Sequence, residues 1–308
     1  MKYLVTGATG FIGLELCRQI LQSGHQLIAL SRLGETLPDG TPTRSIDFRR
    51  EQLAAADLES VDIIFHLAGI AHQQAKPEDY DLVNHRVVTQ LAKAAEAASV
   101  QCFVFLSSVK AMGESVSPLA RTEHDVESPL DAYGRSKWQA EADLNREFSD
   151  SSMRVRILRP ALVYGRETKA NLALLSRMVD KGLPRPPDLG ARSMISRSDL
   201  CALMQAVSLE EKQGVCTFIA TDGEAYSTRR IYDALRDARG MGQGISWCPR
   251  WVWWLACRLF DVLRDTPDAT WNKLFAVELY SNNAVLEATP WRPVASLEST
   301  LRVTGGVL

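Results

Sequence analysis

The chain lacks any pattern that builds a metal centre or a disulfide framework. Its six cysteines, at 17, 102, 201, 216, 248 and 257, form no CxxC, and no ligand spacing links His72, His85 and His124. No metal site is therefore expected. Charge of one sign is missing as well: 35 Lys+Arg stand against 37 Asp+Glu, a net −2. That removes the broad case for a nucleic-acid binder, which needs a basic surplus. Long apolar runs are absent. The longest, Trp251–Cys257, falls far short of the ~20 residues that span a bilayer. No apolar segment precedes the first glycines, so a signal peptide is not expected, and a soluble, cytoplasmic protein is. There is no internal repeat, low-complexity tract or charged tail.

What is present is ordinary globular chemistry: 308 residues, 46% hydrophobic and 23% charged. A chain of this length buries a sizeable core without staples. Cys17 and Cys102 stand among apolar residues and read as core fillers. The first third alternates short apolar runs with helical patterns. Strands are expected at Lys2–Thr6, Gln26–Leu30, Thr43–Ile46, Asp62–Leu67, Cys102–Ser107 and Arg154–Leu158. Helices are expected at Phe11–Gln22, Asp79–Ala98 and Ala132–Phe148. This alternation means a doubly wound parallel sheet of Rossmann type, and runs such as Ile63-Ile64-Phe65 fit strands buried on both faces. Beyond Pro160 helical patterns dominate. The expected plan is a dinucleotide-binding domain over 1–165, with some later segments returning to it, and a smaller, mostly helical substrate domain over 166–308.

Gly7-Ala8-Thr9-Gly10-Phe11-Ile12-Gly13 follows the first strand and opens the first helix. Glycines there let the turn close and let backbone approach a pyrophosphate, which the helix N-terminus then faces. About 20 residues on, a dinucleotide fold places its ribose-reading residue. An acid would accept from the ribose hydroxyls; this chain has Ser31-Arg32. Arginine pairs with a 2′-phosphate, which leans toward NADP(H), with NAD(H) beside a solvated arginine as the alternative. Asp47 is placed either to meet the adenine amino group or to serve as a loop aspartate before Phe48.

Tyr133 and Lys137 lie four apart on one face of a helical segment. A nearby ammonium favours phenolate, which would make Tyr133 a general acid or base. Ser108, ending the fifth strand, is placed to bond the same substrate oxygen. His66, inside a buried strand, reads as a core histidine.

With Phe65-His66-Leu67-Ala68-Gly69, Phe105-Leu106-Ser107-Ser108 and Arg159-Pro160-Ala161-Leu162-Val163-Tyr164-Gly165, these motifs resemble the extended short-chain dehydrogenase/reductases over essentially the whole chain. Within them the chain is most similar to the NAD-dependent epimerase/dehydratase group that acts on nucleotide sugars. The stretches Ser107–Glu114 and Asp131–Lys137 look closest to bacterial UDP-N-acetylhexosamine 4-epimerases and 4-ketoreductases. The resemblance implies cofactor contacts from Gly7, Thr9, Gly10, Phe11, Ile12, Gly13, Ser31, Arg32, Asp47, Leu67, Ala68, Gly69, Asn84, Ser107, Tyr133, Lys137 and Pro160. It implies a reacting trio of Ser108, Tyr133 and Lys137, and sugar-nucleotide contacts from Ser108, Lys110, Asn171 and Arg192. Asn171 also reads as a helix N-cap and Arg192 as a surface arginine. A departure stands at Asn84-His85-Arg86-Val87-Val88, where the family has Gly-Thr after the Asn; two β-branched residues need more room. The late basic clamp of many epimerases is not evident near Ser281-Asn282-Asn283.

The implied activity is hydride transfer at C4 of a UDP-linked, N-acetylated hexose, of 4-ketoreductase type, by a homodimer. A 4-epimerase with retained NAD is the alternative. A dinucleotide sensor without turnover would be expected to have lost the Tyr133/Lys137 pair. Five of the seven tryptophans fall in 247–271. On a helical wheel over 249–264, Arg258, Asp261 and Arg264–Asp265 make one polar stripe. That helix is read as packing on the sheet domain or a partner subunit, or as touching a membrane peripherally.

Overall fold

The computed structural model describes residues 1–71, 75–114, 119–165, 171–242, 244–245, 247–264 and 269–303. His72 and Asp265 lie outside them. Strand β1 (Lys2–Thr6) leads to helix α1 (Phe11–Gln22), β2 (Gln26–Ser31), β3 (Arg44–Ser45) and β4 (Ile63–His66). Then come α2 (Pro77–Asp81), α3 (Val87–Ala97), β5 (Cys102–Leu106), α4 (Ala132–Phe148), β6 (Arg154–Pro160) and β7 (Leu162–Tyr164). The chain continues through α5 (Asn171–Asp180), β8 (Ala191–Ser196), α6 (Arg197–Ser208), β9 (Val215–Ala220), β10 (Ala225–Tyr226) and α7 (Thr228–Ala238). It ends with α8 (Arg250–Arg264), α9 (Ala269–Phe275), β11 (Val277–Glu278), α10 (Asn283–Ala288) and α11 (Leu297–Val303).

Seven parallel strands form the main sheet in the order β3-β2-β1-β4-β5-β6-β9. Side chains alternate across it, so neighbouring residues serve opposite layers. Val5, Phe65 and Val104 pack with Leu16 of α1 and Leu203 of α6. Leu4, Ile64, Phe103 and Phe105 pack with Leu91 of α3 and Leu144 of α4. Both faces are covered, which explains the uninterrupted apolar runs.

Beyond Pro160 the structure is richer in strands than the sequence pattern predicts. β9 completes the main sheet beside β6, and β10, β8 and β11 form a second sheet that β7 joins through β8. Two of these strands are only two residues long. Their pairing is set by tertiary contact, so no local alternation marks them. The long helix expected over Asp79–Ala98 is interrupted: a π turn at Leu82–Arg86 separates α2 from α3. Val87 and Val88, which follow it, are both buried. The polar stripe expected on α8 is split, because Asp261 is buried while Arg258 faces outward. Among the described residues no helix is long and apolar enough to cross a membrane.

His66 sits in the middle of this architecture. It is fully buried, its Nδ1 lies 2.9 Å from the Thr6 hydroxyl, and its Nε2 has no partner. Phe103 and Phe105 stack on it. Burial, and then the charge of Lys137, pull the imidazole from its ordinary 6.5 down to about 3. The unfolded chain therefore takes up a proton well before the folded one does. Stability should fall as pH drops, by roughly 2 kcal/mol from pH 7 to pH 5. Urea midpoints at those two values should separate for the wild type and nearly coincide for His66→Gln. Equal separation in both would show that another group carries the dependence.

Candidate active site

The site opens where β1 and β4 lie side by side and the strand order reverses, at their carboxyl ends. Gly7 has φ +69°, and a Cβ on it would stand 2.9 Å from the Ala68 amide nitrogen. A Cβ on Gly13 would stand 2.1 Å from the Gly7 carbonyl. The two loops are thus pressed together in a way only glycine permits. Gly10 is the N-cap of α1 and no side chain caps the helix, so first-turn amides around Phe11, Ile12 and Gly13 are available to an anion. The Thr6 hydroxyl accepts the amides of Leu67 at 3.2 Å and Ala68 at 3.0 Å. Asn84, in the π turn, grips both backbone groups of Ile70 at 2.8 and 2.9 Å and reaches Ser136. Glycine cradle and uncapped helix end together fit a dinucleotide diphosphate, with Thr9 beside them.

At the end of β2 the structure adds a residue that the sequence reading passed over. Ser31 donates its hydroxyl to the carboxylate of Glu35 at 2.5 Å, and Thr43 lies 2.8 Å from the same hydroxyl. That bond, ahead of backbone contacts and the Arg32 charge, holds the Glu35 carboxyl below its ordinary range. An acid is therefore present at this strand end, delivered from four residues further on. Arg32 itself is exposed. The Asp47 carboxylate accepts from the Arg49 guanidinium and amide, which lowers it to about 2.

Helix α4 carries Tyr133 and Lys137, two of the three candidate side chains. Asp131 caps it by accepting from the Gly134 amide at 2.8 Å. Tyr133, Lys137 and Glu141 then follow at successive fours on one face. Lys137 is buried, donates to the Leu106 carbonyl at 2.9 Å and lies 4.6 Å over the Phe105 ring. Burial lowers its ammonium to about 8, with Glu141 opposing. Tyr133 is edged by Tyr80, with rings 6.2 Å apart, and Ser108 acts on its phenol. The expected lowering of the phenol by Lys137 is not found: Lys137 does not act on it, and the phenol is raised. Burial pushes Tyr133 up to about 12, with Ser108 opposing.

Below this trio lies a buried ion pair. Arg159 of β6 donates to Glu141 at 2.6 and 3.0 Å, and Ser107 donates its hydroxyl to the same carboxylate. Arg159 also holds the Glu123 carbonyl at 2.9 Å. The Ser107 hydroxyl thus serves α4, and Pro160 is buried at the end of β6. The only sequence signal for Glu141 was its place one turn beyond Lys137. Lys110 is exposed, and its amide donates to Ser108. Asn171 begins α5, and its side chain is outside those described. Arg192 is buried in β8, not on the surface, and one of its nitrogens donates to the Lys273 carbonyl at 2.8 Å. Asn282 is buried too, donating to the Thr221 carbonyl.

Glycine cradle, helix N-terminus and Ser-Tyr-Lys trio on a seven-stranded parallel sheet define a nicotinamide-dependent enzyme of the extended short-chain dehydrogenase/reductase class. The chain belongs to the NAD dependent epimerase/dehydratase family, whose pattern it matches over residues 3–188. It is 33% identical to a UDP-glucose 4-epimerase of Vibrio cholerae, covering 98% of this chain and 93% of that one. In structure it is similar to a UDP-N-acetylglucosamine 4-epimerase from Bacillus cereus, with TM-score 0.76, 18% identity and coverage of 99% and 98%. It is also similar to a UDP-glucuronic acid 4-epimerase from Bacillus cereus in complex with NAD, with TM-score 0.76, 20% identity and coverage of 98% and 96%.

Two substitutions test this geometry. Tyr133→Phe removes only the phenolic oxygen, so turnover should fall by about 10²–10⁴-fold while dinucleotide binding survives. Near-normal turnover would remove Tyr133 from the chemistry. Glu141→Ala leaves Arg159 buried and unpaired and should cost about 3–5 kcal/mol in urea denaturation. A cost within the range of a surface change, below about 0.5 kcal/mol, would contradict the buried pair.

Proposed function

We propose that this chain is a UDP-hexose 4-epimerase working with a retained NAD. The observation that carries the reading is Tyr133 and Lys137 one turn apart on α4, with Ser108 acting on the phenol from the end of β5. Gly7, Gly10, Phe11, Ile12 and Gly13 would hold the dinucleotide diphosphate, and Lys137 the nicotinamide ribose. The dinucleotide, when bound, supplies the hydride acceptor and donor. Tyr133 takes the proton of the sugar C4 hydroxyl and later returns one, with Ser108 holding the same oxygen. A phenol held near 12 is protonated at neutral pH, so Tyr133 accepts the C4 proton only once its own has left, which a positive charge brought beside it by the bound dinucleotide would favour. In this reading Asn171, Lys110 and Arg192 remain the groups offered to the sugar nucleotide, and an N-acetylated hexose its sugar. A homodimer belongs to it too, with Trp138 outward on α4 as an apolar contact.

Cofactor choice separates this reading from a second one. The Glu35 carboxylate, clasped by Ser31, supports NAD, because it repels a 2′-phosphate and accepts from free ribose hydroxyls. Exposed Arg32 favours NADP(H) and, with it, a 4-ketoreductase that releases a reduced sugar.

The test is incubation of purified enzyme with UDP-glucose and with UDP-N-acetylglucosamine, no dinucleotide added. Formation of the corresponding galacto sugar is expected. Turnover only with added NADPH selects the reductase instead. In fluorescence titrations the wild type should bind NADH more tightly than NADPH, and Glu35→Gln should narrow the gap by about tenfold, the worth of one charge-assisted contact. A wild type that prefers NADPH gives the ribose site to Arg32.

A further inference from the structure

Arg121 stands in the loop between β5 and α4, and its side chain is buried. Its guanidinium is spread over three main-chain carbonyls. Nε donates to the Asp125 carbonyl at 3.1 Å. One terminal nitrogen donates to the Gly113 carbonyl at 2.9 Å, and the other to the carbonyls of Met112 and Asp125. The Asp125 carboxylate, bound to the Thr122 amide and hydroxyl at 2.7 and 2.8 Å, feels its charge. Taking a charge out of water is costly, and a methionine would fill the space without that cost. What the arginine adds is a planar fork that fixes the groups it grips.

The gripped carbonyls of Met112 and Gly113 close the turn that follows Ser108. That turn, Val109–Met112, is capped by Ser108, whose hydroxyl accepts the Lys110 amide at 3.2 Å. Helix α4 is pressed on it: a Cβ on Gly134, next to Tyr133, would stand 2.5 Å from the Lys110 carbonyl. The main chain of Arg121 is fastened on another side. Its amide donates to the Leu279 carbonyl at 2.9 Å, and its carbonyl accepts the Ser281 amide at 2.8 Å. Tyr280, between them, donates its amide to the Ser193 hydroxyl at 3.0 Å, and Ser193 adjoins Arg192 in β8. Tyr280 is also buried in one cluster with Val109 and Met112. Two residues past Arg121, Glu123 anchors the same loop: Arg159 holds its carbonyl, and its carboxylate accepts the Ile219 amide at 2.8 Å. One side chain therefore joins the Ser108 turn to the strand that carries Arg192.

We propose that Arg121 is a positioning residue: it holds the Ser108 turn in register with β8, so that a sugar nucleotide gripped at Arg192 presents its sugar to Ser108 and Tyr133. This rests on the reading of Arg192 as a sugar-nucleotide contact. Misplacing a reacting group by about 1 Å can cost about a hundredfold in rate while remote binding survives. In Arg121→Met, turnover of whichever UDP-sugar the wild type accepts should therefore fall by about ten- to a hundredfold. The Kd of UDP, by calorimetry, and of NADH, by fluorescence, should stay within about twofold. Arg121→Lys keeps the charge but not the fork and should recover only part of the loss. Unchanged kcat overturns the proposal. So does a matching loss of UDP affinity, which would make Arg121 part of nucleotide binding. If Arg121→Met does not fold, Ser193→Ala loosens the far end of the link and should show the same split; unchanged kcat there overturns the proposal as well. Hydrogen exchange needs no substrate. In Arg121→Lys the amides of 109–113 should exchange about tenfold faster than in the wild type, with those of 7–13 unchanged. Equal exchange at 109–113 overturns the proposal. A wild type idle on UDP-sugars, with that faster exchange in the variant, fails the epimerase reading and leaves the link through Arg121 standing.

Discussion

Arg159 and Glu141 meet inside the protein, far from water, and each would be costly to bury alone. Their partners come from three different elements: β6 supplies the arginine, α4 the carboxylate, and the end of β5 the Ser107 hydroxyl that completes it. A hydrophobic contact between α4 and the sheet would leave the helix free to slide or turn by small amounts. A forked, charged contact fixes its height and its rotation. Lys137 and Tyr133 lie on the same face one and two turns earlier, so their positions follow from that lock. Lys137 adds a second tether through the Leu106 carbonyl, one strand residue from Ser107.

A similar economy operates at the neighbouring strands. Thr6 ends β1 and uses a single hydroxyl to approach His66 and to receive the amides of Leu67 and Ala68. Asn84 then fastens Ile70, two residues on. The wide turn that carries Asn84 is the place where the long helix departs from regular geometry, and such turns gather at functional positions. Buried polar groups thus tie down the loop from Leu67 to Ile70.

Most of the fold was legible because parallel strands buried on both faces write themselves as apolar runs. α4 was read to the residue, since Asp131 caps it and its apolar face is regular. The second sheet was not legible: its shortest strands have two residues, too few for any period to register. At the site, the glycines and the Ser108–Tyr133–Lys137 set could be read because their spacing carries the chemistry. Glu35 could not. Its carboxylate reaches Ser31 by a loop conformation, and a sequence rule that looks only at the strand end sees serine and arginine. Glu141 was hidden for the opposite reason, sitting on a regular helix where one more acid looks like solvent-facing decoration.

The placement of β9 bears on how the chain assembles during synthesis. β6, whose residues from Val155 to Pro160 are all buried in the finished protein, has β9 as its outer neighbour. The segment that covers this edge emerges from the ribosome some sixty residues later. Until it arrives, a strand edge destined for burial stands unpaired while the cradle and Tyr133 are already made, and an unpaired edge is what drives misassociation. A nascent chain stalled before Val215 would present a nearly complete nucleotide fold with one sticky side. Chaperone demand for this protein should therefore concentrate in that interval of translation.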